Sequence, residues 1–147
     1  MNKVYKHKKF AIDEYLGWVD QDGKVYERTE KLDHYVGHVD ERDGKVYEAR
    51  SGPDQYIGRV DPDNGKVYLT KFGPDQYLGR VRKDGKLYHH KRLARDDYLG
   101  KVKEMTSLTH GGAAFLLLVM PAVAEAELEE TKPEESKTDP QPPNIRR

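Results

Sequence analysis

The chain has 147 residues, 35% of them charged, and its 26 Lys plus Arg balance 26 Asp plus Glu. That length suits one domain, and a formal net charge of zero provides no global field toward nucleic acid or membrane. The absence of cysteine excludes disulfides, thiolate metal sites and a cysteine nucleophile together. The opening residues, MNKVYKHKKF, contain no apolar signal segment, so the expected compartment is the cytoplasm, membrane-peripheral if a lipid is the partner.

All ten tyrosines fall into two half-motifs. Tyr15, Tyr35, Tyr56, Tyr77 and Tyr98 each sit in Asp-x-Tyr-(Leu/Val/Ile)-Gly-x-Val, at successive spacings of 20, 21, 21 and 21 residues. Tyr5, Tyr26, Tyr47, Tyr68 and Tyr88 each end a Lys-(Val/Leu)-Tyr triplet. A fixed period of this size marks a repeat architecture. Both half-motifs are short and rich in β-branched and aromatic residues, which predicts strands. The links between them end in Asp-Gly or Asn-Gly, as at Asp22-Gly23 and Asn64-Gly65, because a tight hairpin needs residues that tolerate positive φ.

The chain opens on the second half-motif, Lys3-Val4-Tyr5, and its last repeat closes on the first, Tyr98-Leu99-Gly100-Lys101-Val102. Those orphan halves complete a fifth hairpin if the ends meet. The expected fold is therefore mainly β: a closed ten-stranded antiparallel barrel of five hairpin repeats, with a C-terminal apolar helix through its centre. Closure removes the raw edges that a solenoid would leave. Ten strands about 4.8 Å apart and tilted about 40° enclose a radius of roughly 10 Å, enough for one axial helix.

Strict alternation places Tyr15, Gly17 and Val19 on one face and Leu16 and Trp18 on the other. Trp18 becomes His38, Arg59, Arg80 and Lys101 in the other copies, so that face is read as outward and the Tyr-Gly-Val face as inward. Five mid-strand glycines, Gly17, Gly37, Gly58, Gly79 and Gly100, then make room for the helix.

The helix is expected at about 107–124, within a domain spanning 1–124. Phe115, Leu116, Leu117, Leu118, Val119 and Met120 are apolar on every side, as a helix buried all round must be. The continuous apolar part, 113–124, is 12 residues, short of the roughly 20 that a membrane span requires. Pro121 is expected to kink or end the helix by clashing with the Leu117 carbonyl. Residues 125–147 read as an acidic, then Pro-rich tail, largely disordered, although good helix formers continue to Glu130.

The repeated Tyr-Leu-Gly-x-Val…Asp-Gly-Lys-Val-Tyr, followed by one apolar helix, resembles the β-flower proteins over residues 3 to about 124. The resemblance implies their five-petalled form, a shallow symmetric barrel of hairpins. It also implies architectural similarity to tubby-like barrels, which enclose an apolar helix and include phosphoinositide-binding members. It implies no particular chemistry.

Asp61, Asp63 and Asn64 alternate like calcium ligands, but the full loop pattern is absent and these residue types are what turns require. His89-His90 point to opposite faces of a strand and cannot easily chelate one ion, so solvated rim positions are expected for the histidines. There is no nucleophile elbow and no phosphate loop, so an enzyme is not expected, nor any cofactor or metal. The one asymmetry is basic. Lys6, Lys8 and Lys9 follow the first Lys-Val-Tyr, and Lys91 and Arg92 follow the last Lys-Leu-Tyr, at equivalent repeat positions. The expected partner is an anionic lipid or an acidic protein segment, this chain's own tail among them. Nucleic acid is not expected, since no aromatic platform interleaves the cations. A purely structural or protein-interaction module is the alternative.

Overall fold

The computed structural model describes residues 2–71 and 73–137, without the side chains of 129–137. Ten strands close one antiparallel barrel. In chain order they are β1 (Asn2–Lys6), β2 (Glu14–Val19), β3 (Lys24–Glu27), β4 (His34–Val39), β5 (Lys45–Glu48), β6 (Gln55–Val60), β7 (Lys66–Leu69), β8 (Gln76–Val81), β9 (Lys86–His89) and β10 (Asp97–Lys103). The orphan halves do pair: Lys3 faces Lys103, Val4 faces Val102 and Lys6 faces Gly100. Four hairpin turns gather at one end of the ring, and the connections between hairpins gather at the other.

The turns form as their residues dictate. Asp20 Oδ1 accepts from the main-chain N–H groups of Asp22 and Lys24, and Asp61 Oδ1 accepts from that of Asp63. Gly23 has φ +88°, and a Cβ there would meet the Val39 carbonyl oxygen at 2.7 Å. The same Val39 donates its N–H to the Gly23 carbonyl at 2.9 Å, which ties each turn to the next hairpin.

Each strand contributes one fully buried aliphatic to a single ring, from Val4 and Val19 round to Leu87 and Val102. Within hairpins these residues pair directly, as Val19 with Val25 and Val39 with Val46. Leu16, Val36, Ile57, Leu78 and Leu99 form a second tier nearer the loop end. The inward assignment of Tyr15 and its equivalents is corrected here. Registers skip a residue before each repeat glycine, so that Val4 faces Gly17 while Tyr5 faces Tyr15. That β-bulge breaks the two-residue alternation. It turns Leu16 inward beside Gly17 and leaves Tyr15 on the outer wall, where its ring lies 5.4 Å from that of Tyr5.

The bulge also changes what the repeat glycines do. A Cβ on Gly17, Gly37, Gly58, Gly79 or Gly100 would overlap a tyrosine carbonyl oxygen on the adjacent strand. Gly37 and Gly58 also abut the helix, where a Cβ would lie 2.8 Å from Leu117 Cδ1 and 3.0 Å from Leu116 Cδ1 respectively. Their main role is close strand approach, and room for the helix comes second.

The helix enters at the hairpin-turn end as α1 (Leu108–Ala114), capped by the Ser107 hydroxyl. Small residues face the narrow aliphatic ring: a Cβ on Gly111 would overlap Val81, and one on Gly112 would overlap Val60. The large side chains of Phe115–Val119 fill the wider second tier and are all buried, while Met120 is half-buried. This segment is a π-helical turn, with the Met120 N–H donating to the Phe115 carbonyl. The widened turn lies just before Pro121 and takes up the clash that a strict α-turn would make with the Leu117 carbonyl.

Pro121 therefore does not end the helix, which continues as α2 (Met120–Lys137). The helix runs on past Thr131 as far as Lys137, since nucleation is already complete inside the ring and only propagation remains. The rest of the predicted tail lies outside the described residues. Leu108–Leu128, 21 residues with mean hydropathy 1.5, is long and apolar enough to cross a membrane, although half of that window is buried within the barrel.

Candidate basic and apolar docking face

The basic residues lie in two connections on either side of β10. Residues 7–13 join β1 to β2, and residues 90–96 join β9 to β10; each is one residue longer than the other three connections. Their sequences match: His-Lys-Lys-Phe-Ala-Ile-Asp-Glu from His7, and His-Lys-Arg-Leu-Ala-Arg-Asp-Asp from His90. So does their internal wiring. His7 Nδ1 lies 3.5 Å from Asp13, and His90 Nδ1 lies 3.4 Å from Asp96. Lys8 pairs with Glu14 at 3.8 Å, and Lys91 pairs with Asp97 at 2.8 Å.

The structure thus divides the five predicted cations. Lys8 and Lys91 are engaged by the carboxylate that opens the strand after their loop, Glu14 of β2 and Asp97 of β10, which lowers the field they project. Lys6, Lys9 and Arg92 form no ion pair among the described residues, and Arg95 joins them. Lys6, Lys9 and Lys91 line one cleft of about 530 Å³, and Lys6 and Lys8 line a neighbouring one of about 330 Å³. The emerging helix separates these clefts. Glu127 lines the first and Glu125 the second, so the acidic segment leaves the ring beside the basic sector. Tyr98 lies in the first cleft, 5.0 Å from the His7 ring, and burial followed by the Asp13 charge pushes its phenol up.

What the sequence reading did not single out stands at the two loop tips. Phe10 and Leu93 are 104% and 103% exposed, and Ile12 is 90% exposed. Phe10 and Leu93 hold φ of 61° and 60°, a left-handed conformation that bulky side chains rarely adopt. The available signal was an apolar residue at the same place within two equivalent runs of cations.

The outer wall carries a second device that sequence reasoning missed. The residue after each of three repeat glycines stacks on the tyrosine of its own hairpin and donates to an aspartate of the next repeat. Trp18 stacks on Tyr26 and donates to Asp33 at 2.7 Å. His38 stacks on Tyr47 and sits 2.9 Å from Asp54. Arg59 lies 4.2 Å above Tyr68 and donates to Asp75 at 2.8 Å. The Tyr35 hydroxyl adds a 2.6 Å bond to Asp54. Burial and that carboxylate hold the Tyr35 phenol well above its usual range, and the same hydrogen bond holds Asp54 low. These clasps join hairpin to hairpin and give the Asp-x-Tyr aspartate a structural role.

His110 departs from the expected solvated rim. It is 2% exposed inside the ring, with Nδ1 2.9 Å from the Thr106 hydroxyl. Its Nε2 lies 2.8 Å from Glu41 Oε1, but off the axis a hydrogen bond needs, so this is an electrostatic contact only. Asp61 and Asn64, considered above as calcium ligands, each accept a main-chain N–H through Oδ1. Compared with known protein families, curated proteins and solved structures, the chain matches none.

Proposed function

We propose that this chain is a non-enzymatic module that docks reversibly on an anionic surface through the sector formed by β1, β10 and β9. The observation that carries this reading is the duplicated loop. Two copies of one basic sequence, in one conformation, flank a single strand, and between them Lys9, Arg92 and Arg95 project free of ion pairs among the described residues. Lys101 and Lys103 lie further along β10, toward the hairpin-turn end, the latter 4.8 Å above the Tyr5 ring. Cations near an anionic bilayer contribute about 1 kcal/mol each and lose that within a Debye length. The expected binding is weak, salt-sensitive and reversible, and it places the protein at the periphery of a membrane rather than across it. The β-flower resemblance belongs to the same reading, supported by five hairpins closed round one apolar helix.

Cosedimentation with anionic and with neutral vesicles tests the proposal. The anionic vesicles should retain the protein at low salt, and Lys9→Glu with Arg92→Glu should abolish that. If the charge-reversed protein behaves like the wild type, the module is better read as structural, joining other proteins through its outer wall.

A further inference from the structure

We propose that Phe10 and Leu93 are membrane-inserting tips, so that the anionic partner is a lipid bilayer rather than a soluble polyanion or an acidic protein. This rests on the docking face above and adds the partner's apolar layer to it. Both side chains are fully exposed, and both sit at the summit of a loop directly after a free cation, Lys9 or Arg92. A left-handed backbone disfavours a Phe or a Leu, and neither side chain packs on the barrel to offset that. Of the three non-glycine residues with positive φ among the described residues, Phe10 and Leu93 hold equivalent positions on the two sides of β10 and present an apolar group outward, while the third, Glu104, follows the end of β10.

The partner's chemistry follows from shape and charge. Neither tip lines the cleft between the loops, whose walls include Lys9, Lys91, Asp97 and Glu127, so a partner seated in that cleft would leave Phe10 and Leu93 uncovered. A bilayer needs no matching shape: headgroup phosphates meet the cations, and the acyl region below accepts an isolated side chain. Burying a Phe or Leu raises affinity by roughly tenfold or more, at least as much as a surface cation does. The connection at 49–54, across the ring, carries no large apolar residue, whereas the connection at 28–33, next to the Phe10 loop, exposes Leu32 at 81%.

The chain has no cysteine, so single labels report position cleanly. Leu93→Cys, Phe10→Cys and, as the far-side control, Ser51→Cys each carry an environment-sensitive fluorophore in the full chain. On adding phosphatidylserine vesicles, the labels at 93 and 10 should shift to the blue and be quenched by spin-labelled acyl chains, while the label at 51 should not change. Phe10→Asn with Leu93→Asn keeps the left-handed backbone comfortable and should lower vesicle affinity by roughly tenfold per side chain. Binding to vesicles without any change at 10 or 93 overturns insertion and leaves the anionic docking intact. Retention on an immobilised soluble polyanion or acidic peptide, without vesicle binding, overturns insertion in favour of that partner. Failure to bind either overturns the docking face itself.

Discussion

Val4 and Val102 face each other where the first strand meets the last, both buried to within 2% of full enclosure. This pair is the seam of the ring, and it joins residues nearly a hundred positions apart in the chain. Removing residues 1–9 opens two sheet edges and strips one member from the aliphatic ring. The deletion should abolish cooperative melting at physiological temperature, whereas Val4→Ala should cost about 2 kcal/mol. Circular dichroism melts of both proteins check this; an unchanged melting temperature in the deletion would refute closure.

Leu117 is held between Gly37 and the rest of the second tier, 6% exposed. Leu117→Asp places a charge with no partner there and should cost on the order of 4 kcal/mol or more. Leu117→Met conserves volume and should cost about 1 kcal/mol. Denaturant titration of the pair separates polarity from packing.

Gly112 sets two effects against each other. Helix propensity alone favours alanine by about 1 kcal/mol. A Cβ there would overlap Val60 in a ring that has no slack, and overpacking costs about 1–3 kcal/mol. Gly112→Ala is therefore expected to destabilise, and a raised melting temperature would show that the ring can widen.

The Tyr35–Asp54–His38 clasp gives a pH dependence of known sign. Asp54 is held low, first by the Tyr35 hydroxyl, against desolvation, and then by His38. Its contribution is present above the ordinary aspartate value and is lost as pH falls through the lowered folded value. Tyr35 is held high, first by burial and then by Asp54. Its contribution is present below the ordinary phenol value and fades as pH rises past it. The wild-type advantage over Asp54→Asn should be widest from about pH 5 to 9 and shrink below about pH 4 and above about pH 10. Thermal melts of both proteins across that range measure it, and a gap independent of pH contradicts the assignment.

Glu125 and Glu127 line the clefts that hold Lys6, Lys8, Lys9 and Lys91. Truncation after Ala124 removes those carboxylates and keeps the buried part of the helix. Vesicle affinity at low salt should rise several-fold and converge with that of the full chain near 1 M salt, where the Debye length is about 3 Å. Equal affinities at low salt would show that the acidic segment does not oppose docking.

The closed ring and its apolar plug were legible in the chain alone. Two orphan half-motifs and turns rich in Asp-Gly are local signals, and a run apolar on all sides fits the interior of a closed ring. The orientation of Tyr15 and its equivalents was not legible, because one bulge before each glycine reverses the side-chain alternation and only strand pairing reveals it. The passage of the helix through Pro121 depended on a π-turn whose widening is set by what packs around Phe115–Val119. The cations of the two loops could be counted from the sequence. Which of them remain free was decided by carboxylates six residues on, brought back by the loop's own fold. Sequence patterns record periodicity and composition; the side a residue faces, and the charge it meets there, depend on register and loop geometry that only the assembled barrel imposes.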